Sequence, residues 1–190
     1  MSRLVYYVAC TIDGFIARED GSFDWFLTEG EHFADLLEFF PETIPAHLRD
    51  ALGVMAENRR FDVVLMGRKT YEVGLQVGIT SPYPHLRQYI FSNSMTESPD
   101  GEVQLVSGNA VAMVKDLKRD VDKDIWLCGG SELATRLFPE IDELILKVNP
   151  VLIGSGIPLF SGTVRPTALE VGVNKSYGNG FRLTHYRVKH

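Results

Sequence analysis

The sequence predicts a three-layer α/β/α sandwich around a central mixed, mainly parallel sheet that closes in a C-terminal antiparallel hairpin. Two observations predict the layers. Short β-branched and aromatic runs are mostly apolar throughout, the pattern of strands covered on both faces. Between them, apolar residues recur at i, i+3, i+4 and i+7, the stripe of an amphipathic helix. A third observation, the change to alternating strands around Tyr177-Gly178-Asn179-Gly180, predicts the hairpin.

Taken in order, strands are expected at residues 4–10, 61–66, 88–92, 103–106, 125–128 and 143–149. Phe33, Leu36, Leu37 and Phe40 form a first helical stripe, with Glu29, Glu31, Asp35 and Glu38 on a solvated face. Leu48, Ala51, Leu52 and Met55 repeat the spacing, with Pro45 near the helix start. Val111, Val114 and Leu117 follow a cap at Asn109, and Leu133, Ala134, Leu137 and Phe138 follow a cap at Ser131. Strand–helix alternation implies right-handed crossovers and parallel pairing. Residues 168–177 and 180–189 supply the hairpin. With no repeat and no linker-like stretch, residues 1–190 read as a single domain.

The 190 residues carry 19 cations against 25 carboxylates, a net charge of −6, which disfavours binding nucleic acid or an anionic membrane through bulk charge. No apolar run reaches the ~18 residues of a membrane helix. Residues 4–10 are apolar, but Asp13, Glu19 and Asp20 follow at once and no small-residue cleavage site ends the run, so a strand of a cytoplasmic protein is expected. Two cysteines, Cys10 and Cys128, are too few for a disulfide framework and read as buried thiols.

Chemistry in an open α/β sheet sits where strands end and helices begin. The strand at 61–66 runs into Gly67-Arg68-Lys69-Thr70, which places two cations at a helix start. Cations oppose the helix dipole there, so the composition suits a bound anion, most naturally a phosphate. A solvated basic turn has the same composition. The strand at 125–128 runs into Cys128-Gly129-Gly130-Ser131-Glu132-Leu133, where bare backbone can approach a ligand or form a tight turn. A pyrophosphate between two such corners is a coherent model. The third junction, Ser92-Asn93, carries no acid for a ribose hydroxyl, which with Arg68 and Lys69 leans toward a 2′-phosphate and NADPH. The Gly-rich dinucleotide fingerprint, a P-loop, metal-ligand spacing among the five histidines and a nucleophile elbow are all lacking, so no metal is expected.

These segments, with Thr11-Ile12-Asp13-Gly14-Phe15-Ile16-Ala17, Ile141-Asp142-Glu143-Leu144 and Pro150-Val151-Leu152-Ile153-Gly154-Ser155-Gly156-Ile157-Pro158-Leu159-Phe160, resemble the dihydrofolate-reductase-like superfamily over about residues 3 to 188. The similarity is strongest to the reductase domain of the bifunctional riboflavin-biosynthesis deaminase–reductase, and no deaminase zinc motif occurs here. The resemblance implies an eight-stranded mixed sheet, hydride transfer from NADPH to a small substrate, and a homodimer. It also implies that Gly67, Arg68, Lys69 and Thr70 hold the adenosine-side phosphates, with Ser92 and Asn93 near the adenine ribose. Gly129, Gly130, Ser131, Glu132 and Leu133 would line the pyrophosphate, with an unusual peptide geometry at the glycine pair, and Cys128 would also border the cofactor. Ala9, Ile16 and Ala17 would flank the nicotinamide.

Folate reductases carry an acid on the helix ahead of the Gly-Arg-Lys-Thr turn. Ala51 is read at that place, so folate reduction is not expected. Hydride transfer still needs a proton, and Asp13 is the first candidate for the catalytic acid, although an Asp-Gly turn is the readier explanation of it. Trp25, Phe23 and Phe26 are read as anchors of the long first loop or as a stacking platform for a flat heterocycle. The expected function is an NADPH-dependent reductase of a pterin-like, pyrimidine-like or carbonyl compound. The alternatives are a non-catalytic nucleotide-binding protein and a dimeric interaction module on the same scaffold.

Overall fold

The computed structural model describes residues 1–189. In chain order it contains β1 (Leu4–Thr11), β2 (Phe15–Ala17), α1 (Glu31–Phe39), α2 (Ala46–Arg49), β3 (Phe61–Gly67), α3 (Arg68–Leu75), β4 (Arg87–Phe91), β5 (Val103–Val106), α4 (Ala110–Asp120), β6 (Asp124–Gly129), α5 (Ser131–Leu137), β7 (Ile141–Asn149), β8 (Ile157–Pro158), β9 (Leu169–Ser176) and β10 (Arg182–Val188). Eight strands form one sheet in the order β5-β4-β3-β6-β1-β7-β10-β9. The pairs from β5 through β7 are parallel, and β10 joins β7 and β9 antiparallel. The mixed sheet and the C-terminal hairpin are therefore as the sequence predicts.

Continuous apolar strands arise because successive side chains enter different layers. Leu4, Tyr6 and Val8 of β1 pack with Val114 of α4 and Ala134 and Leu137 of α5. Val5 and Tyr7 pack on the other face with Leu36 of α1, Tyr71 of α3, Phe61 and Trp126. Truncating fully buried Phe61 to Ala would cost about 3–5 kcal/mol by cavity formation. The cap at Asn109 forms as expected, its Oδ1 accepting from Ala112 N at 3.1 Å.

Three expectations need correction. Residues 48–55 do not form a helix: α2 ends at Arg49, and Gly53 turns the chain at φ +65°. Arg49 holds this turn by donating to the carbonyls of Pro41 and Ala56. Leu48, Leu52 and Met55 are consequently exposed, and exposed Ala51 belongs to no helix. The helix packed on the sheet ahead of β3 is α1. Of its carboxylates, Asp35 is not simply solvated, since it accepts from Lys175 Nζ and Tyr177 OH, each at 2.5 Å. Finally, Gly130 rather than Ser131 caps α5.

The N-terminal edge of the sheet is an ion lattice. Buried Glu143 meets Arg3, Arg60 and His185, and Asp124 binds the same two arginines. Asp142 accepts from Leu4 N and pairs with Lys118. The Asp142-Glu143-Leu144 segment therefore fastens β7 to its neighbours, far from the other end of the strands.

Candidate functional site

The C-terminal ends of β1, β3, β4, β6 and β7 share one edge. β3 and β6 are neighbours with Met66 level with Gly129, which brings both predicted corners together. A Cβ on Gly67 would lie 3.5 Å from Gly130 N and 3.7 Å from Gly129 O, and one on Gly130 would lie 3.4 Å from Thr70 Oγ1. Bare backbone thus lines the junction where the two corners meet, a candidate groove that side chains would crowd. Gly129 has φ +142°, and the Gly129–Gly130 peptide is cis.

Both helix starts are open. Neither Gly67 nor Gly130 supplies a side-chain cap, so the first N–H groups of α3 and α5 are available to an acceptor. Ser131 is 4% exposed and its Oγ has no hydrogen-bond partner. A buried hydroxyl without a partner is costly and calls for an acceptor or donor from a ligand. Arg68 pairs with Glu72 at 2.6 Å, and Lys69 reaches Glu132 on the opposite corner at 3.7 Å. Exposed pairs of this kind contribute about 0–1 kcal/mol, so a dianionic phosphate competes readily for both cations.

Beside the groove, β2 and β8 form a small second sheet. It was not predicted, and it places Ile16 against the core and buries Ala17. The segments 11–17 and 149–160 are stitched together by Ile12 N to Val151 O at 3.0 Å and Leu159 N to Gly14 O at 2.9 Å. Asp13 belongs to this stitching. Its carboxylate accepts from Thr11 Oγ1 at 2.6 Å, Gly154 N at 2.8 Å and Ile153 N at 3.2 Å. These bonds, that from Thr11 foremost, hold its pKa below the usual carboxylate value. The group is thus ionised at neutral pH and poorly suited to donate a proton. Buried Asn149 ties the first loop to the end of β7, accepting from Leu27 N at 2.9 Å. Trp25 and Phe26 pack on each other in that loop, and Arg18 stacks on Trp25 at 3.9 Å.

Ser92 and Asn93 lie just past Phe91, which is level with Gly67. The Ser92 hydroxyl accepts from Ser94 N and Met95 N, a local turn cap, and Asn93 is exposed. Leu133 is buried beneath the α5 corner, while Glu132 projects into solvent.

One residue at this edge escaped the sequence reading. Lys147 on β7 is level with Ala9 on β1. Its ammonium sits 4.3 Å from the centroid of the Tyr7 ring. Burial draws its pKa down to about 8, against a weaker upward pull from Cys128 and Cys10. Burial also pushes Cys10 up to about 11 and Cys128 up to about 12, so both thiols are neutral at pH 7. A lone cation directly after the apolar run 144–146 of β7 was the available signal.

Another depression, about 450 Å³ and lined by His85, Arg87, Gln104 and Asp120, lies at the opposite, N-terminal edge and brings together none of these features. Among the described residues no cluster of three or more His, Cys, Asp and Glu is placed to hold a metal, and no helix is long and apolar enough to cross a membrane.

Comparison with known proteins agrees with this architecture. The Bacillus subtilis (strain 168) protein YwjB, itself uncharacterised, is 34% identical over 189 residues, 98% of either chain. A Shewanella sp. PV-4 protein assigned provisionally to riboflavin biosynthesis superposes with a TM-score of 0.74 at 25% identity over 100% of both chains. Dihydrofolate reductase from Enterococcus faecalis, complexed with NADP(H), has a TM-score of 0.62 at 18% identity, covering 99% of this chain and 97% of that one. The scaffold is thus that of the dihydrofolate-reductase-like proteins. The model of the RibD C-terminal domain matches residues 3–183, spanning both groove corners and the β7 segment, and the chain belongs to that family.

Proposed function

We propose that this protein is an NADPH-dependent reductase that delivers hydride to a small heterocyclic or carbonyl compound. One observation carries the reading: the cationic Gly67 corner and the Gly129–Gly130 corner meet side by side, with no side-chain cap at either helix start and the Ser131 hydroxyl unpartnered. This is a fitting cradle for a pyrophosphate. Backbone N–H groups at Arg68, Lys69, Thr70 and Ser131 would hold the diphosphate, and the Arg68 and Lys69 side chains the 2′-phosphate. Ser92 and Asn93 would border the adenine ribose. Ala9, Ile16, Ala17 and Cys128 would flank the nicotinamide, and Leu133 supports the groove from below. When bound, the reduced nicotinamide supplies the hydride; the protein supplies orientation and exclusion of water.

In this reading Asp13 is the anchor that holds the 149–160 segment over the groove rather than the proton donor. The unpaired thiols of Cys10 and Cys128 suit a reducing compartment such as the cytoplasm. The exposed β9 edge, bearing Val171 and Val173, is available for a homodimer contact. Fluorescence titration with NADPH tests the groove, and NADPH oxidation against pterins, pyrimidines and carbonyls tests catalysis. Failure to bind NADPH leaves an interaction module, and binding without oxidation leaves a nucleotide-binding protein.

A further inference from the structure

We propose that Lys147 is the catalytic proton donor: its Nζ meets the heteroatom of a carbonyl or imine substrate held on the α1 side of the sheet, beside Ala9. The inference rests on the reductase reading above and deepens it by assigning the acid and the substrate class.

The geometry is as follows. Lys147 and Ala9 occupy the same level of adjacent strands, so their side chains share a face. That face is the one bearing Tyr7, Cys128 and Trp126, covered by α1. Ala9 is the residue that would flank the nicotinamide, and Lys147, level with it, would then stand beside the reacting carbon. The ammonium contacts the Tyr7 ring, and among the described residues it has no carboxylate partner and no hydrogen bond. Asp35, the α1 carboxylate turned toward the hairpin, is engaged by Lys175 and Tyr177. Three N–H donors are therefore left without an acceptor at the edge where a substrate would enter. A half-buried cation in this position stabilises no ion pair, and an apolar residue of the same length would pack there without the desolvation cost.

Its neighbours are poorer acids. Burial raises the Tyr7 phenol well above its ordinary value, and the Cys10 and Cys128 thiols hold their protons to about 11 and 12. Lys147, drawn to about 8, is the group whose proton is both present at neutral pH and readily transferred. In the step, the carbon of a C=O or C=N bond accepts hydride from the reduced nicotinamide. The π electron pair moves onto oxygen or nitrogen, and that atom takes a proton from Nζ. An N–H bond of the lysine breaks and an O–H or N–H bond of the product forms. The lysine is left as a neutral amine and recovers its proton from water.

Lys147→Met and Lys147→Arg test the assignment with three readouts: melting temperature, NADPH affinity by fluorescence, and NADPH oxidation with aldehydes, ketones and cyclic imines between about pH 6 and pH 10. The Met variant is expected to melt at the same or a higher temperature and to bind NADPH within about twofold of wild type. Its kcat should fall by about 10²–10⁴-fold, with a smaller change in KM. Wild-type kcat should decline above about pH 8, and the Arg variant should recover part of the rate with the decline moved to higher pH. A Met variant that retains kcat, or one that melts substantially lower, overturns the proposal, the latter by making the lysine structural. A wild type that binds NADPH but reduces nothing in the panel overturns it as well. A wild type that does not bind NADPH removes the cofactor reading together with the proposal, so the two failures are distinguishable.

Discussion

Glu143 offers a direct test of how the sheet is fastened at its N-terminal edge. Its carboxylate is 1% exposed and is met by Arg3, Arg60 and, at 2.8 Å, His185 Nε2. Burial alone would raise its pKa. The hydrogen bond with His185 and the charges of Arg60 and Arg3 outweigh burial and bring it from 4.5 to about 2. A depression of about 2.5 units at ~1.36 kcal/mol each corresponds to about 3 kcal/mol. Breaking a buried pair from one side costs about 3–5 kcal/mol, which agrees. Because the folded pKa is depressed, the unfolded chain takes up the proton first as pH falls. The contribution is therefore complete above the unfolded value of 4.5 and is lost progressively toward pH 2. The variant Glu143→Gln should lose about 3 kcal/mol at pH 7. At pH 3, linkage leaves wild type about 1.4 kcal/mol of that advantage. Urea unfolding at both pH values measures this. Equal penalties at pH 3 and pH 7, or none at pH 7, would refute the reasoning. NADPH affinity should be unchanged, because Glu143 is level with Val5 near the start of β1 and the groove lies at the strand ends.

Three further outcomes follow from the groove. Replacing Arg68 and Lys69 with Ala should weaken NADPH by about 10–100-fold, at about 1.5–3 kcal/mol for a charge-assisted contact, and NADH far less; equal losses in parallel titrations would end the 2′-phosphate assignment. Gly156→Ala would place a Cβ 2.3 Å from Ala17 O at φ +155°, so a loss of about 2 kcal/mol or more is expected in thermal unfolding, and an unchanged melting temperature would contradict the close β2–β8 approach. Asp13→Asn removes a loop anchor rather than an acid. It should weaken NADPH and raise KM while the pH profile of kcat keeps its shape, and loss of a titrating limb would restore Asp13 to the chemistry.

What the sequence discloses depends on how local the cause is. The parallel strands are legible because both faces of each are covered, which makes most of each run apolar. The groove corners are legible because cations or paired glycines directly after a buried strand are unusual within a few residues. The region 48–55 misleads for the same reason: Leu48, Leu52 and Met55 have helical spacing, but Arg49 binding Pro41 and Ala56 imposes a turn that spacing does not encode. β2 and β8, of three and two residues, are too short for any periodicity to show. Lys147 is visible as an odd cation in β7. Its setting is made by Tyr7 and Cys128, which are distant in sequence and adjacent only after β1 sits between β6 and β7.

The two edges of the sheet treat polar groups in opposite ways, and the contrast bears on function. At the N-terminal edge Arg3, Arg60, Asp124, Glu143, Asp142 and Lys118 are all mutually paired. At the C-terminal edge the Ser131 hydroxyl has no hydrogen-bond partner, the Lys147 ammonium has no hydrogen bond or carboxylate and only the Tyr7 ring beside it, and two helix starts have no side-chain cap, among the described residues. Each such group lowers stability relative to a satisfied or apolar alternative. A fold able to pair its charges so fully at one end is under no general constraint to leave them open at the other. The open groups are then best explained by partners that arrive with a ligand. If so, ligand binding should recover the stability: a coenzyme present at about 100 times its Kd adds about 2.7 kcal/mol. Groups unpaired for any other reason would leave the melting temperature unmoved by NADPH.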